Sequence, residues 1–291
     1  MAELCVGVLG ATSLVGECLL PLLTQAGWRV TAFSRRPIDQ SGNNVTWLNT
    51  SSSRVAFSGG VPKVVHWICV APVWVLPDYF EMMEACGARR VVALSSTSRF
   101  TKRGSSDLKE QAIARRLDDG EERFRTWAQS KCIEWVILRP TLMYGRGRDK
   151  NVADIARFIH RFGFFPVLGQ ANGLRQPVHA ADVASACFGA LDSPNASNRD
   201  FNISGADTLT YRAMVSRVFE ALGSRPRLLS VPLWVFRFTV ACLRVVPRYR
   251  HWSSAMAERM NQDLVFDNSD AARDLGFRPR SFKLPAQDLP R

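Results

Sequence analysis

Short runs of apolar, β-favouring residues recur along the first half of the chain, at 4–9, 29–33, 44–48, 64–71, 90–95 and 134–139, separated by segments of helical length. Strands that alternate with helices run parallel, because each crossover helix returns the chain to the same edge of the sheet. Two of the runs, Val64 to Val70 and Arg90 to Leu94, are almost continuously apolar instead of alternating. A strand buried on one face shows polar residues at every second position, so these strands are expected to be covered on both sides. The expected fold class is therefore α/β, with a parallel sheet wrapped by helices on both faces. A chain of 291 residues that is 46% hydrophobic supplies one large core or two modest ones, and it excludes a disordered or fibrous protein.

The segment 107–131 has a different character. It is dense in charge, and its apolar residues Leu108, Ile113, Leu117, Phe124 and Trp127 fall at roughly helical intervals. One or two surface helices with a narrow buried stripe are expected there. Beyond Pro140 the stretches Gly145 to Asp149 and Gly163 to Gly173 read as loops, Phe201 to Gly205 as one further strand, and 206–291 as helices with irregular segments. The resulting division is a nucleotide-binding half at 1–145 and 176–205, with a smaller lobe at 146–175 and 206–291.

Lys and Arg number 38 against 26 acids, giving a net charge of +12. That balance suits nucleic acid, anionic lipid or a phosphorylated small molecule, but no nucleic-acid module or alternation of basic and aromatic residues accompanies it, so no nucleic-acid partner is expected. Seven cysteines stand singly, without C-x-x-C spacing. This argues against a zinc ribbon or a disulfide framework and for a reducing cytoplasm, and no metal site is expected. No secretory or transit signal is read at the N-terminus, and no window reaches the ~18 apolar residues of a membrane span. The stretch 231–250 places Arg237 and Arg244 seven apart on one helical face, with aromatic and aliphatic residues around the rest. It reads either as a peripheral membrane contact or as a helix packed into the lobe. The sequence assigns no oligomeric state.

The segment Cys5 to Gly16 is a strand that breaks into a small-residue turn and then a helix starting near Leu14. Such a turn, formed by Gly10, Thr12, Ser13, Leu14, Val15 and Gly16, lets backbone N–H groups approach a pyrophosphate at a helix N-terminus. Gly10 allows the tight turn, Gly16 allows close packing of the helix, and Ser13 takes the place of a second glycine. The next strand ends in Ser34-Arg35-Arg36. An acidic residue there would accept hydrogen bonds from the ribose 2′-hydroxyl of NAD, whereas two arginines and a serine suit a 2′-phosphate. NADP is thus favoured over NAD, the alternative being a solvated pair of surface arginines. Ala71 and Ser95, at the ends of two further strands, complete the candidate cofactor set.

Four segments in this order resemble the extended and atypical short-chain dehydrogenase/reductase family, in its NAD-dependent epimerase/dehydratase branch that acts on nucleotide sugars. They are the Gly10 to Gly16 turn, Ala93 to Thr97, Val136 to Gly145, and Arg175 to Ala184. The resemblance implies a doubly wound Rossmann sheet with a C-terminal substrate lobe closing over the cleft. It also implies that Arg175, and more loosely Arg259, contact the phosphates of a nucleotide-linked substrate, the alternative being a surface ion pair. His179 is expected to be structural and Asp182 to cap the following helix.

The family's Tyr-x-x-x-Lys pair is absent. The residues four places after Tyr79, Tyr144, Tyr211 and Tyr249 are Met83, Arg148, Val215 and Ser253, and the helix that would carry the pair offers Ile113 or Ala114 and Leu117 or Asp118. Ser96 and Lys102, just beyond the fifth strand, are the candidate catalytic residues, or else part of a polar loop around the nicotinamide end. Two functions are consistent with this. One is an NADP-dependent reductase, dehydratase or epimerase of a nucleotide-linked or lipid-linked sugar. The other is a non-catalytic NADP(H)-binding member, a redox sensor or an accessory subunit of a complex.

Overall fold

A computed structural model describes residues 4–38, 42, 44–50, 63–232 and 259–290. The first half alternates as its sequence pattern predicts: β1 (Cys5–Leu9), α1 (Leu14–Gln25), β2 (Arg29–Ser34), β3 (Val45–Asn49), β4 (His66–Cys69), α2 (Phe80–Ala85), β5 (Arg90–Leu94), α3 (Ser98–Thr101), α4 (Leu108–Ser130) and β6 (Glu134–Pro140). There follow β7 (Met143–Tyr144), α5 (Val152–Phe162), β8 (Phe165–Leu168), β9 (Leu174–Arg175), β10 (Val178–His179), α6 (Ala180–Asp192) and β11 (Arg199–Ile203). The rest comprises β12 (Leu209–Thr210), α7 (Tyr211–Ala221), β13 (Leu228–Val231) and α8 (Ser269–Leu275).

Seven strands form one parallel sheet in the order β3-β2-β1-β4-β5-β6-β11. Side chains alternate between its two faces, and both faces are buried. Val8, Ile68, Val92 and Val136 point into one core with α1 and α6, while Leu9, Trp67, Val91 and Ile137 point into the other with α2 and α4. Burial on both sides is the physical cause of the continuous apolar runs. Gly7 faces Trp67 so closely that a Cβ would stand 2.5 Å from the indole. From β1 the chain winds outward through β2 and β3, then crosses to β4 on the opposite side of β1. The crevice at the carboxyl ends of β1 and β4 is thus the topological switch point, where open α/β sheets bind ligands.

The charged stretch after β5 is one continuous helix, α4, begun by Asp107, whose carboxylate accepts the Lys109 amide at 2.9 Å. Its buried stripe differs from the expectation at the first position. Leu108 is exposed, since the first turn projects past the sheet, while the stripe includes Gly120 and the charged Glu121. A Cβ on Gly120 would come within 2.9 Å of the Trp74 backbone, so this glycine sets how closely α4 approaches the turn after β4. A third core, with Tyr144, Ile159, Phe165, Val215, Phe219 and Phe282, lies among α5, α7 and the β8–β13 pair. The short strands β12 and β13 fall where helices and irregular segments are expected. Each is held by pairing to a distant partner, β12 to β9 and β13 to β8, which no local pattern encodes.

Candidate active site

At the switch point Gly10 has φ +80, and a Cβ there would lie 2.6 Å from the Ala71 amide at the end of β4. Only glycine fits both the left-handed backbone and the close approach. Ser13 caps α1, accepting the Gly16 amide on Oγ at 3.1 Å, and a Cβ on Gly16 would strike the Ala11 carbonyl at 2.4 Å. The first-turn amides of Leu14 and Val15 have no intrahelical acceptor, as at any helix start. This small-residue cradle at a helix N-terminus fits a dinucleotide pyrophosphate. At the end of β2, Ser34 is buried and its Oγ accepts the Arg36 amide at 3.1 Å, while Arg35 and Arg36 are exposed at the same carboxyl edge.

A cavity of about 870 Å³ opens beyond the carboxyl ends of β5 and β6. One wall carries Ser96, Thr97, Ser98 and Lys102, from the segment that follows β5; the far wall, from α5 and β8, carries Phe158, Phe165 and Leu168. Ser96 Oγ accepts the Ser98 amide at 3.1 Å, which leaves the hydroxyl hydrogen free to be donated. Burial, then the neighbouring Arg259 charge, hold Lys102 below the ordinary lysine pKa, with Asp107 opposing them. Thr97, the last residue of the Ala93 to Thr97 segment, lines the same wall and donates to the Pro140 carbonyl at 3.2 Å. Ser95 faces inward, where its hydroxyl donates to Glu121 at 2.5 Å.

Both candidate phosphate arginines line the cavity, and both already have partners. Arg175 is buried, donates from Nη1 to the carbonyls of Leu174 and Gln262 at 2.7 and 2.8 Å, and donates from Nη2 to the Arg259 carbonyl. Its guanidinium lies 5.5 Å from the centre of the Tyr211 ring, a phenol that burial pushes up to about 12. Arg175 thus fastens the segment 259–262 to β9. Arg259 itself pairs with Glu110 of α4.

Beneath the cavity floor Glu121, fully buried, is the hub of an ion network. Arg139 of β6 reaches it at 2.7 Å, Arg125 at 3.2 Å, and Arg99 of α3 also pairs with it. In α4, Ile113 and Leu117 pack into the sheet core, Ala114 is buried, and Asp118 is bound by Arg99 and Arg103, each at 2.7 Å. The expected cap of α6 needs correction. His179 is the cap, its Nδ1 accepting the Ala181 amide at 3.1 Å, because it occupies the extended position before the helix. Asp182 lies inside the first turn and instead accepts the Arg280 amide at 2.9 Å and its Nε at 2.8 Å. The stretch 231–250 lies outside the described residues except for Val231 and Pro232. No helix among the described residues is long and apolar enough to cross a membrane.

Residues 77–204 match the family model described as the NAD dependent epimerase/dehydratase family. That segment of the chain is similar to this family. The chain is 26% identical over 300 residues to the uncharacterised protein y4nG of Sinorhizobium fredii, covering 94% of the chain and 74% of that protein. It is 24% identical over 245 residues to a ceramide reductase of Caulobacter vibrioides, covering 78% and 73%. It is 28% identical over 116 residues to subunit 9 of the NADH dehydrogenase 1 alpha subcomplex of Arabidopsis thaliana, covering 40% of the chain and 27% of the subunit. Its fold is that of the UDP-glucose 4-epimerase of Thermotoga maritima, with a TM-score of 0.70, 15% identity, and coverage of 95% and 94%.

Proposed function

We propose that this chain is an NADP-dependent oxidoreductase or epimerase acting on a sugar or related hydroxyl compound carried on a lipid or nucleotide, with Ser96 and Lys102 replacing the missing Tyr-x-x-x-Lys pair. The observation that carries the reading is Lys102, half-buried on the wall of a substrate-sized cavity that Ser96 also lines. A bound nicotinamide cofactor supplies or accepts hydride. Ser96 donates a hydrogen bond to the reacting oxygen. Lys102, held below its ordinary value, is a readier acid than a solvated lysine and offsets negative charge developing on that oxygen. Arg35, Arg36 and Ser34 favour the 2′-phosphate of NADP, and the turn from Gly10 to Gly16 with Ala71 receives the pyrophosphate. Arg175 and Arg259 act on the substrate chiefly by holding the 259–262 wall. The apolar far wall favours a lipid-linked substrate over a nucleotide-linked one, and the similarity to a ceramide reductase supports that preference.

The test is stopped-flow absorbance of the reduced nicotinamide with keto derivatives of lipid-linked and nucleotide-linked sugars. Turnover is expected, falling about 10²–10⁴-fold in Lys102→Ala and less in Ser96→Ala, with NADP affinity unchanged. Because protonated Lys102 is the acid, the rate should fall as pH rises through its lowered pKa, at a pH below the ordinary lysine value of 10.5. Lys102→Arg should remove that limb, since arginine stays protonated. A second reading, a cofactor-binding subunit without turnover, draws on the similarity to the NADH dehydrogenase subunit. Tight NADP binding with no redox change on any substrate would select it.

A further inference from the structure

The cavity beyond β5 and β6 joins two chemistries. Ile155 and Phe158 of α5, Phe165 and Leu168 of β8, Met214 of α7 and Met260 line it, and the same side chains pack together in the third core. The apolar part of the lining is therefore one cluster, not scattered groups. All of these residues are buried except Phe158, which is half-buried, whereas Lys150, Asn151 and Asp154, which line the cavity around the start of α5, are exposed. The apolar part thus lies inside the lobe. Several polar groups of the lining are engaged by the protein itself. Thr141 donates to the Gln176 carbonyl, Gln176 Oε1 accepts the Phe266 amide at 2.7 Å, and Asp154 pairs with Arg157. Arg175 is held by backbone carbonyls and Arg259 by Glu110. Ser96, with a hydroxyl hydrogen open to donation, and the cation Lys102 stand on the other wall.

We infer that this cavity takes a long alkyl chain of a hydroxy or keto lipid, with the chain against the wall of α5, β8 and α7 and the polar head at Ser96 and Lys102. The assignment rests on the proposed function, since it takes Ser96 and Lys102 as the reacting end, and it narrows the substrate class to lipids. A nucleotide diphosphate would have to break the contacts of Arg175 and Arg259 or lie unpaired against hydrocarbon, and charge buried without a partner is costly. An alkyl chain needs no polar partner and gains from every CH₂ that leaves water. Lys102 complements a head that carries or develops negative charge.

The experiment reads binding without turnover. The full chain is titrated with cis-parinarate, a conjugated fatty acid that brightens in apolar surroundings, and the probe is displaced by unbranched fatty acids from octanoate to hexadecanoate, each below its micelle concentration, and by UDP-glucose. Affinity should rise about fourfold for each added CH₂ until the cavity is full, and UDP-glucose should displace no probe. Met214→Phe should bring the plateau to a shorter chain and Phe158→Leu to a longer one, opposite shifts that loss of folding cannot produce. Lys102→Ala should weaken every fatty acid by about tenfold or more and leave the gain per CH₂ unchanged. Absence of displacement by fatty acids, affinity independent of chain length, or displacement by UDP-glucose overturns the inference. So do unmoved plateaus in both volume variants, which would put the chain elsewhere, and undiminished binding in Lys102→Ala, which would put the head elsewhere. Failure of the wider reading looks different: fatty acids bind as expected while no keto substrate is turned over, so the lipid site stands and the catalytic assignment falls.

Discussion

Arg35 and Arg36 carry the sharpest expectation at the scale of single residues. They stand exposed at the carboxyl end of β2 beside buried Ser34, where a dinucleotide's adenosine ribose would come. Charge-assisted hydrogen bonds to a 2′-phosphate contribute about 1.5–3 kcal/mol, or one to two decades in affinity. Calorimetry should therefore show NADP(H) binding more tightly than NAD(H), and Arg35→Ala with Arg36→Ala should erase the difference while leaving NAD(H) affinity as it was. Equal affinity for the two cofactors in the unaltered protein would remove the assignment. The place of this pair was legible in the sequence because it depends only on following a strand. Arg175 was not. Its motif suggests an anion contact, but burial places three backbone carbonyls around its guanidinium, and those carbonyls come from residues 84 and 87 positions away as well as from its neighbour.

Among the elements, α4 shows how a sequence pattern can be read correctly in period and incompletely in chemistry. Its apolar spacing locates the helix, yet the residue that fixes it against the sheet is a carboxylate. Glu121 is fully buried and joins α3, α4 and β6 through Arg99, Arg125 and Arg139, with Ser95 of the β5 end donating as well. Only the fold brings those partners together, so the sequence alone shows Glu121 as one acid in a charged run. Removing one member of a buried ion cluster strands the others, at about 3–5 kcal/mol. Glu121→Gln should lower the thermal midpoint by about 10 °C, followed by circular dichroism. An unchanged midpoint would mean that the arginines find solvent or other acids, and that the network does not hold α4.

Across the whole molecule, the sheet and its two cores were the most legible part, since each strand announces burial on both faces by its own composition. The lobe was less so: β12 and β13 exist through pairing with β9 and β8, and the cavity through the meeting of segments from β5, α5 and residues 259–266. Arg175 is the link between these parts. Arg175→Ala removes three charged hydrogen bonds to backbone carbonyls, two of them in the 259–262 segment. The expected result is faster proteolytic cleavage near 259–264 and a higher KM for the substrate, with NADP affinity retained because the switch point lies elsewhere. Cleavage at the normal rate would show that the segment is held by other contacts.

The apolar filling of α4 bears on what redesign of this chain could achieve as well as on chemistry. A lysine at 117 is not reached by one tolerated substitution, because Leu117 is 3% exposed in a core shared with Phe124 and Leu76, and an ammonium at that place would lie in hydrocarbon. The other register closes the same route, for Asp118 is bound by Arg99 and Arg103, and a lysine would face two cations in place of its present partners. A tyrosine arriving first at Ile113 would find no lysine to activate it. Installing the pair would therefore need several coordinated substitutions, because each lysine position is closed by the packing or the charges already there.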